Sequence, residues 1–364
     1  MSAGKLTYNY LSKNCGLKVS SICLGTMTFG ESKGGGRPGQ CDEALAHQIL
    51  DRYVAWGGNF IDTANMYQEG QSETMIGTWL KKREDRDKLI IATKVRVSMD
   101  SSDPNCEGLS RKHIIWSVEE SLRRLQTDYI DLYQIHAWDE GTPIKETFSA
   151  LNDLVKSGKI RYVGVSNVTG WQLQKILDLQ DRMGWEACVT VQNQYNLLCR
   201  ETELEVVEVC KNEGLGMLPW SPLKGGWLSG KFKRDTAASG DTRVGWVSEK
   251  ESSRRAQSHP SFQQYQDNEK VWNLIDKVES IGKAHEKSVA QVSLKWLLQK
   301  PTVTSVIIGA KNLQQLDDNL GAGTDWKLTD SEMNKCNDLT EPGVQYPYID
   351  VKNRNKSRRR EDAN

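Results

Sequence analysis

Short apolar segments alternate with longer amphipathic segments along almost the whole chain. Apolar runs of four to eight residues that are bounded by polar or turn residues are typical of buried strands. The segments between them are long enough to form helices. The pattern predicts eight strands, at Ser21–Gly25, Asn59–Asp62, Leu89–Lys94, Tyr129–His136, Ile160–Ser166, Val189–Asn193, Gly216–Trp220 and Thr304–Ile308.

Helical spacing is clearest between the third and fourth predicted strands. In Arg111–Leu125 the apolar residues recur every three or four positions, which places one apolar stripe toward a core. The segment around Phe148–Val155 shows the same spacing, and we expect Thr142 to cap that helix and Pro143 to lie in its first turn. Further helices are predicted at Ala44–Trp56, Trp171–Arg182, Glu203–Glu213 and Val289–Gln299.

Regular alternation of strand and helix predicts a parallel sheet covered by helices, the α/β class. Eight such units favour a single (β/α)8 TIM barrel, and 364 residues suit a barrel with insertions. Leu6–Val19 is predicted to form a β-hairpin around Asn14–Cys15–Gly16 that plugs the barrel floor. No linker divides the chain, so we assign residues 1–345 to one barrel domain and 346–364 to a flexible polar tail.

Charge, apolar runs and cysteine spacing indicate which partners and which compartment to expect. Lysine plus arginine total 48 and so do aspartate plus glutamate, so no global charge attracts nucleic acid or anionic lipid. No apolar run approaches the roughly 18 residues of a membrane span, and we expect no membrane insertion. The eight cysteines stand singly, without a C-x-x-C pair, which favours reduced thiols and a cytoplasmic location.

Three long loops follow strand ends, at Thr26–Cys41, Arg96–Leu109 and Lys224–Phe262. In a barrel all three lie at the C-terminal face, where TIM-barrel active sites lie. The first loop contains Gly34–Gly39, which matches the glycine pattern of dinucleotide-binding Rossmann folds. That pattern requires a strand that turns directly into a helix, whereas here the strand ends near Gly25. We interpret this segment as a flexible glycine-rich loop.

Polar residues end three of the predicted strands. Asp62, Lys94 and His136 share the inward-facing parity of their strands, and Tyr67 lies close enough to Asp62 to fold back over the same mouth. A phenol with its ordinary pKa near 10 is a weak acid at neutral pH, and an adjacent ammonium lowers that pKa. Lys94 would supply this charge, Asp62 would hold Lys94, and His136 would orient a carbonyl oxygen. Taken singly, each residue also suits an ordinary structural role.

These residues and their neighbours resemble the aldo-keto reductase family, and the resemblance covers about Tyr8 to Leu339. Six segments carry it: Gly57–Tyr67, Ile91–Lys94 and Asp131–His136 are similar to the catalytic motifs, and Gly164–Asn167, Val191–Asn196 and Ile308–Lys311 are similar to the cofactor motifs. The resemblance implies NADP(H)-dependent reduction of a small-molecule aldehyde or ketone. Tyr67 would donate the proton, with Asp62, Lys94 and His136 completing a tetrad.

The resemblance also implies which residues contact NADP(H). Lys311 precedes the helix predicted at Asn312–Leu320, and a lysine at a helix N-terminus suits the 2′-phosphate that distinguishes NADP from NAD. Ser166, Asn167 and Gln192 would hold the nicotinamide carboxamide, and Trp220 would stack on the ring. The full expected set is Thr26, Met27, Asp62, Ser166, Asn167, Gln192, Trp220, Ser221, Pro222, Leu223, Lys224, Gly225, Lys231, Arg243, Gly309, Lys311, Gln315 and Asn319.

Two other functions compete with this interpretation. Trp220–Leu223 and the loop after it resemble the family branch that contains potassium-channel β subunits and aryl-alcohol-type reductases. An NADPH-binding, redox-sensing regulatory subunit with little turnover is therefore an alternative, although the channel subunits carry asparagine where this chain has His136. A metal-dependent hydrolase is disfavoured because only His136 of the five histidines ends a predicted strand, and we expect no metal. The substrate, the physiological direction and any homo-oligomer are open.

Overall fold

A two-stranded antiparallel hairpin precedes the barrel. Strand β1 (Tyr8–Ser12) pairs with β2 (Cys15–Ser20), and both Leu11 and Val19 pack among the inward-facing side chains of the barrel. The hairpin therefore closes one end of the barrel, as predicted. The structure is a computed structural model that describes residues 5–31, 40–234, 244, 263–343 and 346–358.

The eight predicted strands form one parallel sheet. They are β3 (Ile22–Gly25), β4 (Phe60–Asp62), β5 (Ile90–Val95), β6 (Ile130–Ile135), β7 (Ile160–Ser166), β8 (Cys188–Gln192), β9 (Gly216–Met217) and β10 (Val306–Ile308). Their order is β10-β3-β4-β5-β6-β7-β8-β9. The two end strands are joined where the Met217 N–H donates to the Thr302 carbonyl at 2.8 Å and the Ile307 N–H donates to the Pro219 carbonyl at 3.0 Å. The sheet is therefore a closed barrel, and the predicted fold class is confirmed.

Helices cover the outside of this barrel. Their buried faces and the outward-facing strand residues form the larger apolar core, and the inward-facing strand residues form a smaller second core. The helices in the described residues are α1 (Glu43–Ala55), α2 (Gln71–Leu80), α3 (Arg111–Leu125), α4 (Ile144–Lys156), α5 (Gly170–Met183), α6 (Val206–Glu213), α7 (Gln263–Gln266), α8 (Glu269–His285), α9 (Val289–Leu298), α10 (Leu313–Leu320), α11 (Asp330–Leu339) and α12 (Tyr348–Arg354).

Two helix starts differ from the prediction in their capping or by more than one residue. Pro143 occupies the N-cap of α4, one position earlier than expected, and the Thr142 hydroxyl donates to the Asp139 carboxylate at 2.6 Å instead of capping the helix. The helix predicted from Glu203 begins only at Val206, because Glu201–Glu203 form a separate 3-10 turn. Hydrogen bonds within the preceding segment accompany both starts, and helical spacing does not report such bonds.

The end of the chain contains local structure. Within the segment expected to be a polar tail, Tyr348–Arg354 form α12, and the Tyr348 hydroxyl donates to Glu205 Oε1 at 2.6 Å. The boundary at residue 345 stays a prediction. Among the helices of the described ranges, none has both the length and the apolar character that a bilayer crossing requires.

Candidate active site

Four predicted side chains meet at the C-terminal end of the barrel. The Lys94 ammonium donates to Asp62 Oδ2 at 2.6 Å, and these two side chains are only 1% and 3% exposed. The same ammonium donates to the Thr63 carbonyl at 2.7 Å and to the Tyr67 hydroxyl at 3.4 Å. The His136 ring lies edge-on to the Tyr67 ring, with 5.9 Å between centroids. The structure therefore brings the proposed tetrad together.

The local backbone explains how Tyr67 reaches the strand ends. Tyr67 begins a 3-10 turn that runs to Gly70, and Gln68 and Glu69 inside it have φ of 47° and 57°. Left-handed backbone is unfavourable for residues other than glycine and is commonly found at functional sites. The turn reverses the chain directly after β4, so the Tyr67 hydroxyl lies over Lys94.

The pKa values of Lys94 and His136 are shifted in opposite directions. Burial by itself lowers the pKa of Lys94, but the nearby charges of Asp62 and Tyr67 and their hydrogen bonds raise the pKa of Lys94 above its ordinary value. Burial, together with the charges of Lys94 and Arg96, lowers the pKa of His136 to about 3. At neutral pH the site therefore presents one ammonium beside the phenol and a neutral imidazole.

Two glutamine side chains extend the network around Asp62. Gln192 Nε2 donates to Asp62 Oδ1 at 2.9 Å, and Gln134 Nε2 donates to the same oxygen at 3.2 Å. Gln134 was not assigned a role from the sequence, although it shares the inward parity of His136 on β6 and is completely buried. Its polar side chain at an inward-facing strand position was the sequence feature that could have identified Gln134.

Residues expected to hold the nicotinamide are also close together. The Asn167 amide donates to the His136 carbonyl at 2.8 Å and to Ser166 Oγ at 3.0 Å, and Asn167 Oδ1 accepts from the Trp220 indole at 3.1 Å. Ser166 Oγ donates to the Gln192 carbonyl at 2.7 Å. Gln192 Oε1 accepts no hydrogen bond from the described residues, so the cluster keeps an acceptor for a carboxamide N–H.

The expected pyrophosphate segment follows Trp220 and has unusual backbone. Ser221 and Lys224 have φ of 53° and 47°, and Gly225 has φ of 68°. Pro222 is buried beside the half-buried Leu223, and Asn196 Nδ2 donates to the Ser221 carbonyl at 3.0 Å. A tight turn of this kind directs successive backbone groups toward one side, which suits an anionic ligand.

Two lysines lie near each other at the expected adenosine end. Burial and the positive charge of Lys311 both lower the pKa of Lys231. Gln315 Oε1 accepts from the Lys311 N–H at 3.2 Å, and Asn319 Nδ2 donates to the Gly309 carbonyl at 3.4 Å. A side chain at Gly309 would meet open space. Neighbouring ammonium groups at the start of α10 fit a phosphate.

Three expected contacts remain. Thr26 is completely buried, and its hydroxyl donates to the Asp62 carbonyl at 3.1 Å, so its side chain supports the strand end from within the protein. The Met27 carbonyl accepts from Gln68 Nε2 at 3.2 Å beside the Tyr67 turn. Arg243 and the Gly34–Gly39 segment lie outside the described residues.

The donor set of this mouth suits proton transfer and anion binding. Within the ranges that the structure describes, no group of three or more His, Cys, Asp or Glu side chains could hold a metal ion. The hydrolase alternative therefore finds no ligand set in that part of the chain. A buried ammonium, a phenol and a neutral imidazole instead lie next to one another.

Comparison with known proteins identifies the family of the chain. The sequence pattern of the aldo/keto reductase family matches residues 21–341. The chain is 34% identical to norsolorinic acid reductase B of Dothistroma septosporum, over 87% of this chain and 78% of that protein. It is 31% identical to an NADP(+) aryl-alcohol dehydrogenase of Phanerodontia chrysosporium, over 94% and 88% of the two chains. A Bacillus subtilis oxidoreductase, YrpG, is 35% identical over 94% of this chain and 98% of its own. The chain belongs to the aldo/keto reductase family and is an oxidoreductase.

Proposed function

We propose that this protein reduces an aldehyde or ketone to an alcohol with NADPH as the hydride donor. The single observation that carries the proposal is the buried Lys94 ammonium, which lies 2.6 Å from Asp62 Oδ2 and 3.4 Å from the Tyr67 hydroxyl. A bound nicotinamide would supply the hydride to the carbonyl carbon. The Tyr67 O–H bond would break as its proton passes to the carbonyl oxygen.

Each tetrad residue has a distinct part in this proposal. Lys94 stabilises the phenolate that Tyr67 becomes, and Asp62 keeps Lys94 charged and in place. His136 is neutral at neutral pH, so it orients the carbonyl oxygen by hydrogen bonding and adds no second charge to the site. Ser166, Asn167, Gln192 and Trp220 would orient the nicotinamide next to this group.

The choice of cofactor rests on the other end of the site. Lys231 and Lys311 lie close enough for the charge of one to lower the pKa of the other. An anion with two negative charges relieves this repulsion, which favours the 2′-phosphate of NADPH over the hydroxyl of NADH. One relative is an aryl-alcohol dehydrogenase that uses NADP(+), which supports the same choice and makes aromatic aldehydes the first substrates to test.

The test follows NADPH oxidation by its near-ultraviolet absorbance. Aromatic and aliphatic aldehydes, quinones and ketones are compared with the wild type and with Tyr67→Phe. We expect turnover of at least one class and a loss of roughly 100-fold or more in the variant, because general acid catalysis contributes about 10²–10⁴-fold. NADPH binding without turnover on any carbonyl would favour the regulatory alternative.

A further inference from the structure

A second buried ion pair lies outside the tetrad. Arg124 Nε donates to Glu73 Oε2 at 2.7 Å, and the two side chains are 11% and 0% exposed. Glu73 lies in the first turn of α2 and Arg124 in the last turn of α3. A buried ion pair is weak evidence for stability, because its desolvation offsets its attraction. The contacts that Glu73 and Arg124 make with their neighbours indicate a second role for the pair.

The other carboxylate oxygen of Glu73 reaches the strand that carries Lys94. Thr93 Oγ1 donates to Glu73 Oε1 at 2.5 Å, and Thr93 directly precedes Lys94 in β5. Neighbouring strand residues face opposite sides, so Thr93 points toward α2 while Lys94 points into the barrel. Glu73 therefore joins α3, α2 and the strand that holds the ammonium.

The neighbouring Ser72 joins the same turn of α2 to two more strands. Ser72 Oγ donates to the Thr26 carbonyl at 2.9 Å and lies 2.9 Å from Thr63 Oγ1. The Thr63 carbonyl in turn accepts from the Lys94 ammonium at 2.7 Å. The first turn of α2 is thus bonded to the residues that follow β3 and β4 and to β5, all beside the tetrad.

Arg124 also packs against the turn that carries Tyr67. Gly70 ends that turn with φ of 90°, and a Cβ there would lie 2.8 Å from Arg124 Cδ. Gly77 lies two helical turns after Gly70, in α2, and a Cβ there would lie 2.1 Å from the Arg124 carbonyl oxygen. The arginine therefore fills the space between α3 and the Tyr67 turn, and no room is left there for an added methyl group.

We propose that Glu73 and Arg124 are positioning residues that set the distance between the Tyr67 hydroxyl and the Lys94 ammonium. Arg124 holds the turn that precedes α2, and Glu73 holds the strand residue beside Lys94, so one ion pair controls both partners. This inference rests on the proposed function of Tyr67 and Lys94.

The intact pair carries no net charge, so in the wild type it acts through geometry. Glu73→Gln leaves a positive charge and Arg124→Met a negative one, so a direct charge effect would move the pKa of the phenol in opposite directions in the two variants. The attraction between an ammonium and a phenolate weakens as they move apart, so a longer distance raises the pKa of the phenol. The alkaline limb of the pH–rate profile would then move to higher pH while the maximal rate falls. A loss of folded protein would lower the rate at every pH and leave the limb where it was.

The experiment measures the pH profile of kcat and the Kd for NADPH in Glu73→Gln and Arg124→Met. We expect a loss of roughly 10–100-fold in kcat, since a misplacement of about 1 Å costs about 10²-fold, with an upward shift of the alkaline limb. The Kd for NADPH should change less than about twofold, because neither residue is among the expected cofactor contacts. Arg354→Met is the control: this arginine of α12 is 80% exposed and pairs with Asp350 on the surface.

Milder variants keep the proposal testable if an unpaired buried charge prevents folding. Thr93→Val removes only the hydroxyl that Glu73 accepts and should shift the limb in the same direction by a smaller amount. Arg124→Lys keeps the charge and should retain more activity than Arg124→Met. Wild-type kcat and an unmoved limb in folded Glu73→Gln and Thr93→Val would overturn the proposal. Failure of the wild type to reduce any carbonyl would instead overturn the proposed function.

Discussion

The two ends of the barrel interior are both buried, but one is apolar and the other is charged. At the floor, Leu11 of the hairpin packs with Phe60 and Leu132, all completely buried and apolar. At the mouth, Asp62 and Lys94 are almost as buried but polar and charged. The change occurs within single strands, since Phe60 and Asp62 are only two residues apart on β4.

This difference means that the floor and the mouth contribute differently to the stability of the fold. Burial of apolar side chains at the floor contributes about 25 cal/mol per Å² of apolar surface to folding. Burial of two ions at the mouth costs several kcal/mol per ion, and their attraction only offsets that cost. We infer that the floor stabilises the barrel while the mouth is kept for its reactivity, and the following predictions test that division.

The largest effect should come from replacing both ions of the mouth. In Asp62→Asn/Lys94→Met the ion pair gives way to neutral groups of similar size. We expect turnover to fall at least about 10³-fold, because the Tyr67 phenolate loses its stabilising charge. The free energy of unfolding should stay constant or rise by about 1–4 kcal/mol. Steady-state kinetics and urea denaturation measure the two quantities.

Lys94→Met alone supplies the control for that comparison. It leaves Asp62 buried and without its ammonium, which should destabilise the fold by roughly 3–5 kcal/mol. Binding of NADPH should remain mostly intact at a temperature where the variant is folded. Normal turnover in either variant would remove Lys94 from the mechanism.

The floor should show the reverse behaviour. Leu11→Ala leaves a cavity under the barrel and should lower the free energy of unfolding by about 2–5 kcal/mol. The kcat of the folded variant should stay within about twofold of the wild-type value, since the floor lies at the opposite end from Tyr67. Tyr10→Ala changes the neighbouring residue, whose side chain is 58% exposed, and should change stability by less than about 1 kcal/mol. A large loss of kcat in Leu11→Ala would mean that floor and mouth are coupled.

A smaller effect is expected at the rim of the mouth. Lys311→Met should weaken NADPH by about 10-fold or more, which corresponds to about 1.4 kcal/mol, and should leave NADH binding nearly unchanged. Fluorescence titration with both nucleotides measures the ratio. Lys283→Met serves as control because its side chain is 75% exposed on α8 and pairs with Glu279 on the same helix. Equal weakening of the two nucleotides would contradict a role at the 2′-phosphate.

The fold was predictable because both ends of the barrel follow simple strand alternation. Every predicted strand is present, and Arg111–Leu125 forms a helix with the predicted bounds. The alternating faces of β4, β5 and β6 also placed Asp62, Lys94 and His136 at one mouth. Such periodicity is set by the backbone and depends little on distant contacts.

Contacts between distant segments were not predictable in the same way. Glu73 looks like an ordinary polar residue of an amphipathic helix, yet it is completely buried by Arg124, 51 residues away. Gln134 had the right parity but no motif that assigned it to Asp62. The start of α4 depends on a bond between Thr142 and Asp139 that helix propensity does not include. These features depend on which side chains meet after folding.

The smallest effect is expected in the free energy of unfolding at acid pH. It should depend on His136 at the mouth and not on Leu11 at the floor. The pKa of His136 is lowered to about 3 in the folded protein, whereas an unfolded histidine has a pKa near 6.5. As the pH falls below about 6.5, the unfolded state binds a proton that the folded state does not. The free energy of unfolding should therefore decrease by up to about 1.4 kcal/mol per pH unit from this group. Urea denaturation at pH 7.5 and 5.5 should show this decrease in the wild type and a smaller one in His136→Gln, while Leu11→Ala should keep the full wild-type pH dependence. An identical pH dependence in His136→Gln would contradict a lowered pKa of His136 in the folded protein.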